Sequence, residues 1–173
     1  NAWIEGGGQD ENYFVIKEKN GITKVYGKTA WSGASADKKY IYYLDSVTDG
    51  FGNVITYNYS ENKKEVRLES ISYGKDGAQR IALKYDKRED VRLDGRGKYV
   101  KRDSGLLHSV TTYSAGEAVR SYIFGYEPNV FRENYLTSIS VVPGKASGSL
   151  DSLTEKQREL IYTYKFSYEE PEY

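Results

Sequence analysis

The sequence predicts an all-β, mostly antiparallel fold, with successive β-hairpins forming an elongated, curved or spiralling sheet. Three observations predict it. Tyr, a strand-favouring residue, is the commonest hydrophobic residue, with 18 copies in 173 residues. Apolar and polar residues alternate with period two in segments such as Ile55-Thr56-Tyr57-Asn58-Tyr59 and Ile81-Ala82-Leu83-Lys84-Tyr85. Turn-forming residues recur between such segments, as in Lys19-Asn20-Gly21, Asp49-Gly50-Phe51-Gly52-Asn53, Gly74-Lys75-Asp76-Gly77 and Ser114-Ala115-Gly116-Glu117.

Composition narrows the function classes. Lys+Arg and Asp+Glu balance at 25 each, so no bulk basic footprint points to nucleic acid. Cysteine is absent, which excludes thiol catalysis, disulfides and Cys-based zinc sites. A single histidine, His108, excludes a His-rich metal site within one chain. No cofactor and no metal site are expected. No apolar run is long enough to span a membrane. Methionine is absent. Asn1-Ala2 reads as the remnant of a cleaved tag, and residues 3–173 as a single β-hairpin repeat segment excised from a larger protein.

The first element is a hairpin. Tyr13-Phe14-Val15-Ile16 and Ile22-Thr23-Lys24-Val25-Tyr26-Gly27 flank Asn20-Gly21, a pair suited to a type I′ turn. Trp31 to Lys39 is small and polar and reads as a loop.

From residue 40 the chain repeats. Four segments open as Leu-x-Ser-(Ile/Val), at Leu44, Leu68, Leu107 and Leu136. Each is followed by a strand closing in an aromatic or Leu, any residue, then Tyr: Tyr57-Asn58-Tyr59, Leu83-Lys84-Tyr85, Phe124-Gly125-Tyr126 and Phe166-Ser167-Tyr168. The openings lie 24, 39 and 29 residues apart, an irregular spacing that fits hairpins with loop insertions. The connection from Pro143 to about Gln157 is long, and Ser152-Leu153-Thr154-Glu155 has capping-box spacing for a short helix.

Alternation assigns faces. Ile55, Tyr57 and Tyr59 share one face, as do Ile81, Leu83 and Tyr85, and Tyr162, Tyr164, Phe166 and Tyr168. These faces are expected to be packed, with Tyr57→Ala or Phe166→Ala costing about 3–5 kcal/mol. The Leu-x-Ser-Ile openings break the alternation, since Leu and Ile fall on opposite parities. A bulge in each opening would reconcile them.

The ordered set of these motifs carries a resemblance. Asp49-Gly50-Phe51-Gly52-Asn53-Val54-Ile55-Thr56-Tyr57-Asn58-Tyr59 resembles the repeat signature of bacterial YD/RHS-repeat toxin proteins. The order is Val25-Tyr26-Gly27, the Gly-Asn hairpin, Ile71-Ser72-Tyr73, then Tyr85-x-x-Arg88-x-Asp90 and the later Leu-x-Ser hairpins. It is similar to the N-terminal region of SpvB and of the insecticidal toxin complex (Tc) B component. The resemblance spans about residues 12–169. It implies a hairpin scaffold of a secreted or surface-exposed bacterial protein, involved in virulence. It further implies partners among other domains of the parent and other toxin-complex subunits. The structural repeat positions are Leu44, Gly52, Asn53, Tyr57, Tyr59, Leu68, Tyr85, Arg88, Asp90, Leu107, Phe124, Tyr126, Leu136, Phe166 and Tyr168. The chain lacks the family's Asp-Pro-rich self-cleavage element and any ADP-ribosyltransferase signature.

Individual sites read as structural. His108 sits beside Ser109, but adjacent strand residues point to opposite faces and no orienting third group is evident. Asp49 and Asn53 could offer oxygen ligands to calcium, yet they lack an EF-type loop's acids and fit a hairpin turn better. Arg88-Glu89-Asp90 and Asp94-Gly95-Arg96-Gly97 concentrate charge, and a loop held by Arg-Asp hydrogen bonds accounts for them more plainly than acid-base catalysis. No catalytic residue is expected. The leading reading is a non-catalytic scaffold forming part of the shell around or next to a toxin cargo. The alternative is a cell-surface β module binding glycan or protein through loop aromatics. Trp3, Trp31, Phe51 and Phe131 are its candidate contacts.

Overall fold

The computed structural model describes residues 2–6, 12–33, 38–60, 65–95, 100–146 and 150–169. Among the described residues eleven strands form one sheet: β1 (Ala2–Gly6), β2 (Phe14–Glu18), β3 (Thr23–Gly33), β4 (Lys39–Thr48), β5 (Val54–Tyr59), β6 (Leu68–Tyr73), β7 (Gln79–Asp94), β8 (Lys101–Ser114), β9 (Glu117–Pro128), β10 (Asn134–Pro143) and β11 (Tyr162–Lys165). A five-residue helix, α1 (Glu155–Glu159), precedes β11. Spatial order equals chain order, and every neighbour pair is antiparallel. The fold is therefore the predicted all-β hairpin meander, an open sheet with β1 and β11 at its edges.

Three hairpin tips share one geometry. At Glu18–Ile22, Asp49–Asn53 and Asn129–Glu133 the first residue's N–H donates to the fifth residue's carbonyl, at 2.8, 3.0 and 2.9 Å. The fourth residue's N–H donates back to the first carbonyl. That fourth residue has positive φ in each: Gly21, Gly52 and Arg132. This is a tight turn followed by a left-handed residue, not the two-residue type I′ turn expected at Asn20-Gly21, because Asn20 keeps a negative φ. The type I′ conformation occurs instead at Ala115 (φ 49) and Gly116 (φ 85).

Two other expectations are corrected. Trp31 to Gly33 are strand residues, paired with Tyr42, Ile41 and Lys39, so both ends of the expected loop are strand, and its middle, 34–37, lies outside the described residues. The capping box is formed by Thr154 and Gln157, two residues later than expected, while Ser152 ends a 3-10 turn.

The sheet has two unlike faces. Directly opposed residues share a face, so Leu83, Val110, Tyr122, Val141 and Tyr162 form one row of an aromatic face. Lys84, Ser109, Ile123, Ser140 and Thr163 form a row of the other, small-residue face. The connection between β10 and β11 folds over the small-residue face. Ala146 and Leu153 pack there on Ile123 and Val142, with Ile161 alongside. Small side chains allow this close cover, and hydrogen bonds fix it: Ser121 Oγ donates to the Gly144 carbonyl at 2.8 Å and accepts from Ala146 N–H at 3.1 Å.

Few hydrophobic residues are buried. Among the described residues these are Ala30, Ile123, Val141, Val142, Ala146 and Leu153. The aromatic face is only half-covered. Tyr162, Tyr164, Phe166 and Tyr168, expected to be packed, are 51, 56, 40 and 53% exposed, because the edge strand has a neighbour on one side only.

Candidate functional site

Each Leu-x-Ser opening contains a β-bulge. Leu44, Leu68, Leu107 and Leu136 lie opposite Tyr26, Tyr59, Tyr85 and Tyr126. The paired Ser46, Ser70, Ser109 and Ser138 lie opposite the residue just before each Tyr. Asp45, Glu69, His108 and Thr137 are thus the extra residues. One extra residue flips the parity, so Leu68 and Ile71 both reach the aromatic face despite their sequence spacing.

The same Tyr and Leu residues are joined a second way. On the far side of each Leu strand, the regular ladder stops at the Ser: Ser46 with Thr56, Ser70 with Ala82, Ser109 with Ile123, Ser138 with Lys165. Beyond that point the Leu carbonyl needs another donor. The next hairpin's Tyr supplies it. Tyr59, Tyr85, Tyr126 and Tyr168 hydroxyls donate to the carbonyls of Leu44, Leu68, Leu107 and Leu136 at 3.1, 2.9, 2.8 and 2.8 Å. A tyrosine-leucine ladder therefore crosses the sheet from Tyr26 to Tyr168. The residue before the Leu flanks the Tyr ring: Tyr43 lies 5.4 Å from Tyr59, Tyr135 lies 5.2 Å from Tyr168, and the Arg67 guanidinium sits 5.9 Å from the Tyr85 ring. Burial raises the Tyr59 hydroxyl to about 12, aided by nearby Asp45, and burial also raises Tyr85 and Tyr126.

Two wider bulges lie beside this ladder, each placing four residues against one. Residues 27–30 of β3 face Tyr43, and residues 88–91 of β7 face Ser104. In the first, the buried Asp45 carboxylate accepts from the N–H groups of Lys28, Thr29 and Ala30 at 2.7, 3.0 and 3.0 Å, and from the Thr29 hydroxyl. Gly27 has φ +72, and a Cβ there would collide with the Tyr42 ring.

In the second, Arg88 is 6% exposed and forks onto both Asp90 oxygens at 3.0 Å, with Asp103 at 3.1 Å from Nη1. Asn134 N–H and Nδ2 donate to the same Asp90 carboxylate, tying β10 to β7. The Arg88 guanidinium, with Asn134, holds Asp90 well below the usual carboxylate range. Glu65 receives the Ser104 N–H and hydroxyl and the Arg67 guanidinium. Burial pushes Glu65 up, but these donors outweigh it and leave it lowered.

The sequence motif around Arg88 and Asp90 thus marks a buried clamp inside a 16-residue strand rather than a loop. Arg96 and Gly97 lie outside the described residues. Asp49 carries the hairpin tip, accepting from Phe51 and Asn53 N–H at 2.9 Å each and from Asn53 Nδ2 at 2.8 Å. Those internal donors occupy the oxygens that a cation would need. His108 Nδ1 lies 2.7 Å from Asp86 Oδ2. Asp86 shares the face of Lys84, which opposes buried Ser109, so the bulge keeps His108 and Ser109 on one face instead of the two expected. No cluster of three metal-capable side chains occurs among the described residues.

The candidate ligand aromatics do not converge. Trp31 is a strand residue with Lys39 Nζ 5.4 Å from its ring. Phe51 and Phe131 occupy the same position in two equivalent tips, but β4 and β9 run in opposite directions, so the tips lie at opposite ends of the sheet. Phe131 lines a cleft of about 330 Å³ with Tyr135, Phe166 and Tyr168. The side chain of Trp3 lies outside the described residues. Sequence reasoning missed Asp45, Glu65, Arg67, Asp103 and Asn134. Only Asp45 had a signal, as the variable residue of a Leu-x-Ser opening.

No protein-family model and no curated protein matches the sequence. Solved structures do. The TcdB2-TccC3 crystal structure is similar with a TM-score of 0.68 at 14% identity, over 85% of this chain and 10% of that one. The Photorhabdus luminescens Tc holotoxin pore is similar with a TM-score of 0.68 at 13% identity, over 82% and 10%. The N-terminal domain of the effector SpvB from Salmonella typhimurium strain LT2 gives 0.63 at 13% identity, over 95% of this chain and 64% of that domain. The chain shares their fold. It spans about a tenth of the toxin-complex chains.

Proposed function

We propose that the chain is a non-catalytic scaffold segment of a secreted or surface-exposed bacterial toxin-like protein of the SpvB/Tc-B/RHS type. In this reading it forms part of the shell around or next to a toxin cargo. Its partners are other domains of the parent and other toxin-complex subunits. The observation that carries the reading is the tyrosine-leucine ladder, which joins strand to strand from β3 to β11 while leaving a broad aromatic face half-exposed. Such a sheet gains stability from neighbours that cover it. The fold likeness to toxin-complex chains supports the same reading. Sequencing the coding DNA on both sides tests it. Further Gly-Asn and Tyr-x-Tyr hairpins ending in an unrelated C-terminal cassette are expected. A frame leading into an anchor or a glycan-processing domain overturns it.

A second reading rests on the cleft of Phe131, Tyr135, Phe166 and Tyr168. Aromatic rings at a strand end suit stacking on a sugar. Saturable glycan binding in calorimetry, lost in Phe131→Ala, is its test.

A further inference from the structure

We propose that the outer edge of β11 is a strand-receiving site, and that its occupant is a β-strand carrying its own Leu-x-Ser-(Ile/Val) bulge, seated antiparallel with its Leu opposite Tyr168. This deepens the scaffold reading by naming what the exposed edge receives.

The ladder carries the argument. Every earlier closing Tyr that donates to a Leu carbonyl behind it is also registered opposite a Leu ahead of it. Tyr59 donates to Leu44 and opposes Leu68; Tyr85 donates to Leu68 and opposes Leu107; Tyr126 donates to Leu107 and opposes Leu136. Tyr168 repeats the first half in full. Its hydroxyl donates to Leu136 at 2.8 Å, and its ring meets Tyr135 as Tyr59 meets Tyr43. Among the described residues β11 is the last strand of the sheet, so the second half of the relationship falls on its outer edge.

That edge is chemically ready. Phe166 N–H donates inward to the Thr137 carbonyl at 2.9 Å. Antiparallel alternation therefore turns the N–H and carbonyl groups of Thr163, Lys165 and Ser167 outward. The register of the internal junctions also fixes the occupant. Leu68, Ser70 and Ile71 oppose Tyr59, Asn58 and Tyr57. Transposed to β11, Leu opposes Tyr168, Ser opposes Ser167, and Ile or Val opposes Phe166. The bulge then puts Leu and Ile together on the aromatic face, beside rings that are 53 and 40% exposed. Main-chain bonds along the edge supply affinity, and the alternate side chains supply selectivity.

The test adds a fluorescein-labelled peptide of the chain's own Asn134–Pro143 sequence to the full 173-residue chain. Saturable anisotropy change and slowed amide exchange at Thr163, Lys165 and Ser167 are expected. Replacing the peptide's Leu136 by Ala should weaken binding at least tenfold. Lys165→Pro in the chain removes an outward N–H at an edge position where proline is tolerated, so it should also weaken binding at least tenfold while thermal unfolding is unchanged. Equal binding by the Leu136→Ala peptide, equal binding by Lys165→Pro, or no saturable binding overturns the proposal. So does a concentration-dependent dimer through β11 without peptide, since the occupant would then be a second copy. Loss of peptide binding leaves the scaffold reading to the flanking DNA, and an anchor or glycan domain there leaves the peptide result standing.

Discussion

The Tyr126 hydroxyl donates to the Leu107 carbonyl at 2.8 Å, at the point where β8 and β9 cease to pair. The bond closes a gap that the Leu-x-Ser bulge itself opens, by ending the ladder at Ser109. Removing only the hydroxyl leaves the carbonyl short of a donor. Tyr126→Phe is therefore expected to cost about 1–2 kcal/mol in urea unfolding. Tyr164→Phe, whose hydroxyl has no part in the ladder, is expected to stay within about 0.5 kcal/mol. Equal effects for the two variants would remove the ladder's claim to stability.

The ladder also predicts a base-sensitive fold. Tyr59 is raised from 10.0 to about 12, chiefly by burial, and then by the Asp45 charge. A raised pKa means that the folded state holds the proton more tightly than the unfolded chain. Its contribution is full below about pH 10 and is lost as pH rises towards 12. Unfolding followed from pH 9 to 12 should be steeper for the wild type than for Tyr59→Phe. Parallel curves would place the alkaline sensitivity elsewhere.

The Arg88 clamp predicts an acid limit. Asp90 is lowered from 3.8, mainly by the Arg88 guanidinium, so its contribution is present above that value and lost as pH falls below it. Arg88→Lys keeps the charge but cannot fork onto both Asp90 oxygens. It is expected to cost about 2 kcal/mol at pH 7 and to flatten the loss of stability below pH 4. A variant as stable as wild type at pH 7 would show that the fork is replaceable.

Much of this architecture was legible in the sequence because it repeats. Leu44, Leu68, Leu107 and Leu136 announce the bulges through their broken parity, and the closures ending in Tyr59, Tyr85, Tyr126 and Tyr168 announce the strands beside them. The wide bulges were not legible. Arg88 and Asp90 meet Asp103 and Asn134 from two other strands, and Asp45 reaches back to residues 28–30, so their partners are set by pairing that no local pattern contains. The exposure of Phe166 was also hidden, since period two reports which residues share a face but not whether anything covers it.

Turn chemistry offers a gain of stability. Ala115 sits at φ 49 in the type I′ turn, where a Cβ is disfavoured and Asn is well tolerated. Ala115→Asn creates Asn-Gly at that turn and is expected to stabilise by about 0.5–1 kcal/mol, read as a raised melting temperature. Gly52→Ala, at φ 86, should act in the opposite sense by about 1 kcal/mol. A neutral Ala115→Asn would mean that the tip relaxes without cost.

The contrast between the two faces gives the last prediction. Ile123 is 6% exposed beneath Ala146 and Leu153, whereas Phe166 is 40% exposed beside the edge strand. Truncating a covered side chain forfeits both its transfer from water and its packing contacts, so Ile123→Ala should cost about 2–5 kcal/mol. Phe166→Ala forfeits only partial contact and should cost about 1–2 kcal/mol, less than the 3–5 kcal/mol expected for a packed ring. The ordering is the informative result. If Phe166→Ala proves the costlier in the isolated chain, the aromatic face is covered in solution by self-association, and the difference should vanish on dilution.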